Sequence, residues 1–114
     1  MSAELVALPA MGSVGHRFDT GNRLVCGRMA QWLEPLGFDV ELQPVGTDKD
    51  KVNLIARRGK GNGGLVLSGH TDTVPFDASR WNSDPFVLTE REGRLYGLGT
   101  TDMKAFLAMA VEAA

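Results

Sequence analysis

Leu65-Val66-Leu67-Ser68-Gly69-His70-Thr71-Asp72-Thr73-Val74-Pro75 is the stretch that decides how the chain is organised. It opens with an uninterrupted apolar run of the kind found in fully buried strands. It closes on polar residues, and open α/β sheets place their ligands at the carboxyl ends of such strands. His70 and Asp72 are one residue apart, so in extended backbone both side chains leave the same face and can reach one site. Neutral imidazole is a common metal ligand, and metal-bound histidines usually donate their other ring N–H to a carboxylate or carbonyl. The triplet can therefore supply a ligand with its orienting partner, or two ligands. Taken alone, it also fits a surface turn with a satisfied histidine.

Upstream, Asp19 and Thr20 are N-cap candidates for a helix over about residues 21–36. Val25, Met29, Trp32, Leu33 and Leu36 lie on one face of it, and Gly37 marks its end. Phe38, Val40 and Leu42 alternate with polar residues, which predicts a half-buried strand. Thr47 to Lys51 reads as a polar turn, after which Val52, Leu54 and Ala56 alternate again in a strand ending near Arg58. Gly59 to Gly64 is a flexible connection. Downstream, Phe86–Thr89 and Arg94–Tyr96 flank a hairpin turn at Glu90–Gly93. Gly97-Leu98-Gly99-Thr100-Thr101 then bends into a helix over 102–114, with Phe106, Leu107, Ala110 and Val111 on one stripe. The order predicts an α/β fold, a mixed β-sheet flanked by helices.

Composition excludes several classes of function. The 114 residues are 43% hydrophobic and 23% charged with a formal net charge of −2, which offers no electrostatic attraction for nucleic acid. No apolar run approaches the roughly 20 residues that span a bilayer, so no membrane partner is expected. The N-terminus lacks the basic start and apolar core of a secretory signal. The single cysteine, Cys26, cannot form an internal disulfide, and the expected location is cytoplasmic. The last helix reaches Val111-Glu112-Ala113-Ala114 without a capping residue, so a truncated piece of a longer protein is expected.

Other candidates carry blander readings. His16, in a loop with Arg17 and Asp19, is expected to be an ordinary surface histidine. Cys26 sits in the first predicted helix with no activating base identifiable, which favours packing over nucleophilic chemistry. The glycine-rich segment is no P-loop, because it lacks the Gly-Lys-Ser/Thr ending. Arg57, Arg58 and Lys60 read as a solvated strand end. Trp81 fits either a lid or packing near the site, and Lys104 receives no role.

Ser68-Gly69-His70-Thr71-Asp72-Thr73-Val74-Pro75, then Trp81, Asp84-Pro85-Phe86 and Leu95-Tyr96-Gly97-Leu98-Gly99-Thr100-Thr101-Asp102-Met103-Lys104, resembles the co-catalytic zinc family of aminoacylases, dipeptidases and glutamate carboxypeptidases. The resemblance covers nearly the whole chain and implies that residues 1–114 are the N-terminal portion of a zinc-peptidase-like catalytic domain. By position, His70 matches a histidine binding one metal ion, Asp72 the catalytic-site carboxylate that orients it, and Asp102 the aspartate bridging both metals. Two divalent cations roughly 3.5–4 Å apart need such an anionic bridge, and the donor types suit two Zn2+ or Co2+ ions. The family also implies a cis peptide after the bridging aspartate, at Asp102-Met103. The activity implied is hydrolysis of a small-molecule N-acyl amino acid. The general base and the remaining ligands (a Glu-Glu pair, a further carboxylate and a late histidine) would follow Ala114, as would a dimerisation domain, so the full-length form is an expected homodimer. Val74-Pro75-Phe76-Asp77, Arg80-Trp81 and Leu98 resemble the deacetylase branch more than the desuccinylase branch, which usually has arginine where Leu98 stands. Ala105 departs from the glycine of many relatives. A different-class alternative is a non-catalytic fragment or binding module.

Overall fold

The computed structural model describes residues 1–13 and 19–114, so His16 lies outside the described residues. Among the described residues there are three α-helices: α1 (Ser2–Ala7), α2 (Arg23–Leu33) and α3 (Lys104–Glu112). Four strands form two antiparallel pairs: β1 (Asp39–Val45) with β2 (Asp48–Arg57), and β3 (Thr89–Arg91) with β4 (Arg94–Tyr96). The α/β class holds, with the strands in separate pairs and a parallel bridge between Met11 and Thr73.

The core forms where α2 lies on the β1–β2 pair and beside α3, and α3 in turn lies against α1. Val25, Met29 and Leu33 of α2 meet Leu107, Ala108 and Val111 of α3, with Leu5 of α1 closing the cluster. Phe38, Val40, Leu54 and Ala56 pack on its edge, because Val40 faces Ala56 and Leu42 faces Leu54 across the ladder. No cap or periodic stripe announces α1. Helices of six residues do not persist alone in water, and here the full burial of Leu5 and Val6 holds it.

Several boundaries differ from expectation for local reasons. α2 starts after Asn22, not Asp19 or Thr20. Those two side chains are already engaged, Asp19 accepting from the Gly21 N–H and Thr20 from the Met11 N–H. At its other end α2 tightens into a 3-10 turn over Glu34–Leu36 that contains Pro35. Leu36 is left exposed and the apolar face ends at Leu33, while Gly37 terminates the turn at φ 84° as expected. The predicted polar turn at 47–51 shrinks to Gly46 and Thr47, since Asp48–Asp50 are strand residues whose side chains face solvent. Glu92 and Gly93 both adopt positive φ (54° and 69°), the two-residue geometry that matches strand twist in a tight hairpin.

The largest correction concerns Leu65–Ser68. It is not a buried strand: Leu65, Val66 and Leu67 are 83%, 86% and 53% exposed, and no described segment pairs with them. Burying such a run needs hydrogen-bonded neighbours on its edges and apolar cover on its faces, and nothing among the described residues provides either. The radius of gyration, 15.0 Å, exceeds the roughly 13 Å of a compact domain this long, in keeping with an open structure.

In the 114-residue chain, Leu5→Ala should cost about 2–5 kcal/mol in chemical denaturation, whereas Leu65→Ala should change stability by less than about 0.5 kcal/mol. Burial also pushes the Cys26 thiol above its ordinary value. The native state then keeps a proton that the unfolded chain releases, so stability should fall as pH rises past the ordinary thiol range. A thiol reagent should accordingly label Cys26 only on unfolding.

Candidate metal centre

Extended backbone brings His70 and Asp72 to one side of the loop that follows the exposed apolar run. Gly69 lets this loop approach α3 closely, because a Cβ there would lie 3.0–3.2 Å from Leu107, Met103 and Phe106 side-chain atoms. The His70 N–H faces Met103 Sδ at 3.4 Å. On the far side, the Thr73 N–H donates to the Ala10 carbonyl (2.8 Å) and the Gly12 N–H to the Thr73 carbonyl (3.0 Å). Gly12 lies close against Asp72, since a Cβ there would sit 3.0 Å from Asp72 Oδ2.

Asp102 arrives from the turn before α3, 2.8 Å from His70 Nε2 through its Oδ1. The peptide bond between Asp102 and Met103 is cis. The other imidazole nitrogen, Nδ1, faces two acceptors on Asp72, the carbonyl oxygen at 3.1 Å and Oδ1 at 3.2 Å. Both ring nitrogens thus face oxygens, so both donate in the imidazolium, whereas the neutral ring has one hydrogen for the two sides. A proton on Nε2, or a metal ion beside it, makes the 2.8 Å contact with Asp102 attractive. In keeping with this, the Asp102 carboxylate first, helped by Asp72, raises the His70 pKa from its ordinary value. A geometry that holds a proton at Nε2 is also suited to a divalent cation there.

His70 and Asp102 supply one imidazole and one carboxylate donor, types that suit zinc. They are only two donors, however, where a zinc site needs four. Among the described residues, no group of three or more His, Cys, Asp or Glu is arranged to hold a metal ion. Asp72 lies on the Nδ1 side of the imidazole, away from Asp102. His70 and Asp102 side chains are 47% and 80% exposed at the edge of a cleft of about 470 Å³, whose walls include Trp81, Tyr96 and Gly99. Trp81 is a wall residue packed edge-on to Phe76, at a ring-centroid distance of 6.4 Å.

Lys104 is wholly buried, and its Nζ donates to the Leu8 carbonyl at the end of α1 (2.6 Å). Burial lowers its pKa to about 8. Its N–H donates to the Gly99 carbonyl, and its stem packs where a Gly99 Cβ would clash. One lysine thus ties the end of α1 to the start of α3, two residues from Asp102. A cation in the first turn of a helix opposes the helix dipole, and that misfit was the sequence signal for a specific partner. Of the basic cluster, Arg58 is not merely solvated: it donates to the Leu36 and Ala114 carbonyls and stacks on Phe38.

The description "Peptidase family M20/M25/M40" matches residues 66–114, the segment that contains all three site residues. A solved structure of human carnosine dipeptidase 1 superposes with a TM-score of 0.82 at 31% identity, over 98% of this chain and 26% of that one. Over residues 66–114 in sequence the chain is thus similar to peptidase family M20/M25/M40, and over nearly its whole length its fold is similar to that of the dipeptidase. Similarity in sequence also runs to acetylornithine deacetylases. The chain is 52% identical to that of Proteus mirabilis over 96% of its own length, and 51% identical to that of Pasteurella multocida over 99%. It spans 28% and 30% of those two relatives.

Gly12→Val should press on the Asp72 carboxylate and disturb its contact with Nδ1. The expected outcomes are a shifted His70 ring signal in 15N NMR and a stability loss of about 1–3 kcal/mol.

Proposed function

We propose that the whole protein is a two-metal amide hydrolase that converts N-acetylornithine and water to ornithine and acetate. Residues 1–114 form the N-terminal portion of its catalytic domain. The observation that supports this reading is that His70 Nε2 lies 2.8 Å from the Asp102 carboxylate while its Nδ1 faces Asp72. On this reading His70 binds one ion and Asp102 bridges both. Asp72 fixes the tautomer and ring orientation and strengthens the imidazole as a donor, as orienting carboxylates do. Bound divalent cations, Zn2+ or Co2+, supply an acidified water and positive charge for the tetrahedral oxyanion. The similarity to acetylornithine deacetylases, together with Val74–Asp77 and Leu98, supports the substrate and a place in cytoplasmic arginine biosynthesis.

The general base and the other ligands lie outside these 114 residues on this reading, so the chain by itself should bind metal weakly and turn over no acetylornithine. In the whole protein, His70→Ala and Asp102→Ala should each reduce kcat/KM by more than the roughly 10–100-fold typical of an outer-sphere change, with loss of bound metal. Near-normal activity and metal content in Asp102→Ala would show that it bridges nothing. Turnover of succinyl-diaminopimelate equal to or better than acetylornithine would overturn the substrate.

A further inference from the structure

Asn22 occupies the N-cap position of α2, yet its side chain makes no capping bond. It makes three hydrogen bonds elsewhere. Its Oδ1 accepts from the Val52 N–H (2.9 Å), while Nδ2 donates to the Val52 carbonyl (2.9 Å) and to Thr71 Oγ1 (2.8 Å). The Val52 pair fixes which end of the amide is oxygen. Aspartate would set a carboxylate against the Val52 carbonyl, so only a carboxamide suits both groups. Asn22 is itself held in place. Its N–H donates to the Asp50 carbonyl (2.9 Å), and Gly21, at φ 65°, lies so close to β2 that a Cβ would fall 2.4 Å from the Asp50 oxygen.

Thr71 is the residue between His70 and Asp72. In extended backbone its side chain leaves the face opposite to theirs. The bond from Asn22 therefore grips the loop from behind at the point where its front carries the imidazole and its orienting carboxylate. With Thr73 bonded to the Ala10–Gly12 backbone, the loop is anchored on two successive scaffold-facing residues.

We propose that Asn22 is the positioning residue of the centre, setting the aim of His70 and Asp72 through Thr71. This rests on the reading of His70 as a metal ligand. The test uses the whole protein, with Thr71→Val, which removes the acceptor together with the hydroxyl's contact to Cys26 and leaves the Asn22–Val52 pair intact, beside Asn22→Ala and Asn22→Asp. Zinc affinity is measured by chelator competition, kcat and KM by turnover, and Tm by calorimetry. Thr71→Val should weaken zinc binding about 10–100-fold and lower kcat with KM unchanged and Tm within a few degrees of wild type. The double variant Asn22→Ala/Thr71→Val should bind zinc no more weakly than Asn22→Ala, as one shared interaction requires. Asn22→Asp should fail to restore affinity. Wild-type zinc affinity and kcat in Thr71→Val would overturn the proposal, as would fully additive losses in the double variant. A His70→Ala control distinguishes the two levels: if it keeps full metal content, the ligand assignment fails, and not merely the positioning role.

Discussion

The arrangement that everything near the cleft serves is the His70 imidazole held with its Nε2 at 2.8 Å from a carboxylate oxygen of Asp102. Two loops distant in sequence meet in this contact, and the backbone on each side is held from elsewhere. On the His70 side the hold comes from the Thr73 bridge to residues 10–12 and from Asn22 behind Thr71. On the Asp102 side it comes from Lys104, whose buried Nζ donates to the Leu8 carbonyl just after α1. The short N-terminal segment, α1 and the residues just after it, thus touches both halves of the centre without contributing a ligand.

This arrangement explains how a wholly buried lysine is tolerated. Burial disfavours its charged form and brings its pKa to about 8. The hydrogen bond to Leu8 and the packing of the stem on Gly99 offset that cost only if α1 is docked. Leu5 and Val6 supply the docking, and the dependence runs both ways, since α1 is too short to exist unsupported. Stability and site geometry are therefore coupled through one apolar contact and one buried polar one.

The features legible in the sequence were those written in local patterns. Val25, Met29 and Leu33 announced α2 by spacing, Gly37 its end, and the alternation at Val40, Leu42, Leu54 and Ala56 the first strand pair. His70, Asp72 and Asp102 were legible as a set only through two ordered motifs, because a lone His-x-Asp is ambiguous. What escaped was tertiary. Asn22 looks like a cap by position, and only the fold shows its amide spent on β2 and the site loop. Leu65–Leu67 reads as a buried strand because composition records what a segment needs, not whether neighbours are there to provide it.

The exposed apolar run and the two-donor centre share one physical shortfall. His70 and Asp102 face water, where an isolated donor pair holds a cation weakly and exposed charges interact at high dielectric. Leu65–Leu67 faces water too, and leads straight into His70. Polypeptide covering that run would exclude water from it and from the base of the loop together, strengthening every electrostatic interaction at the cleft. The relatives are more than three times as long as the matched segment, at 28% and 30% coverage. In a whole protein of that size, cover and missing donors can come from the same chain. The affinity of the centre would then be a consequence of completing the fold, not of the two ligands considered alone.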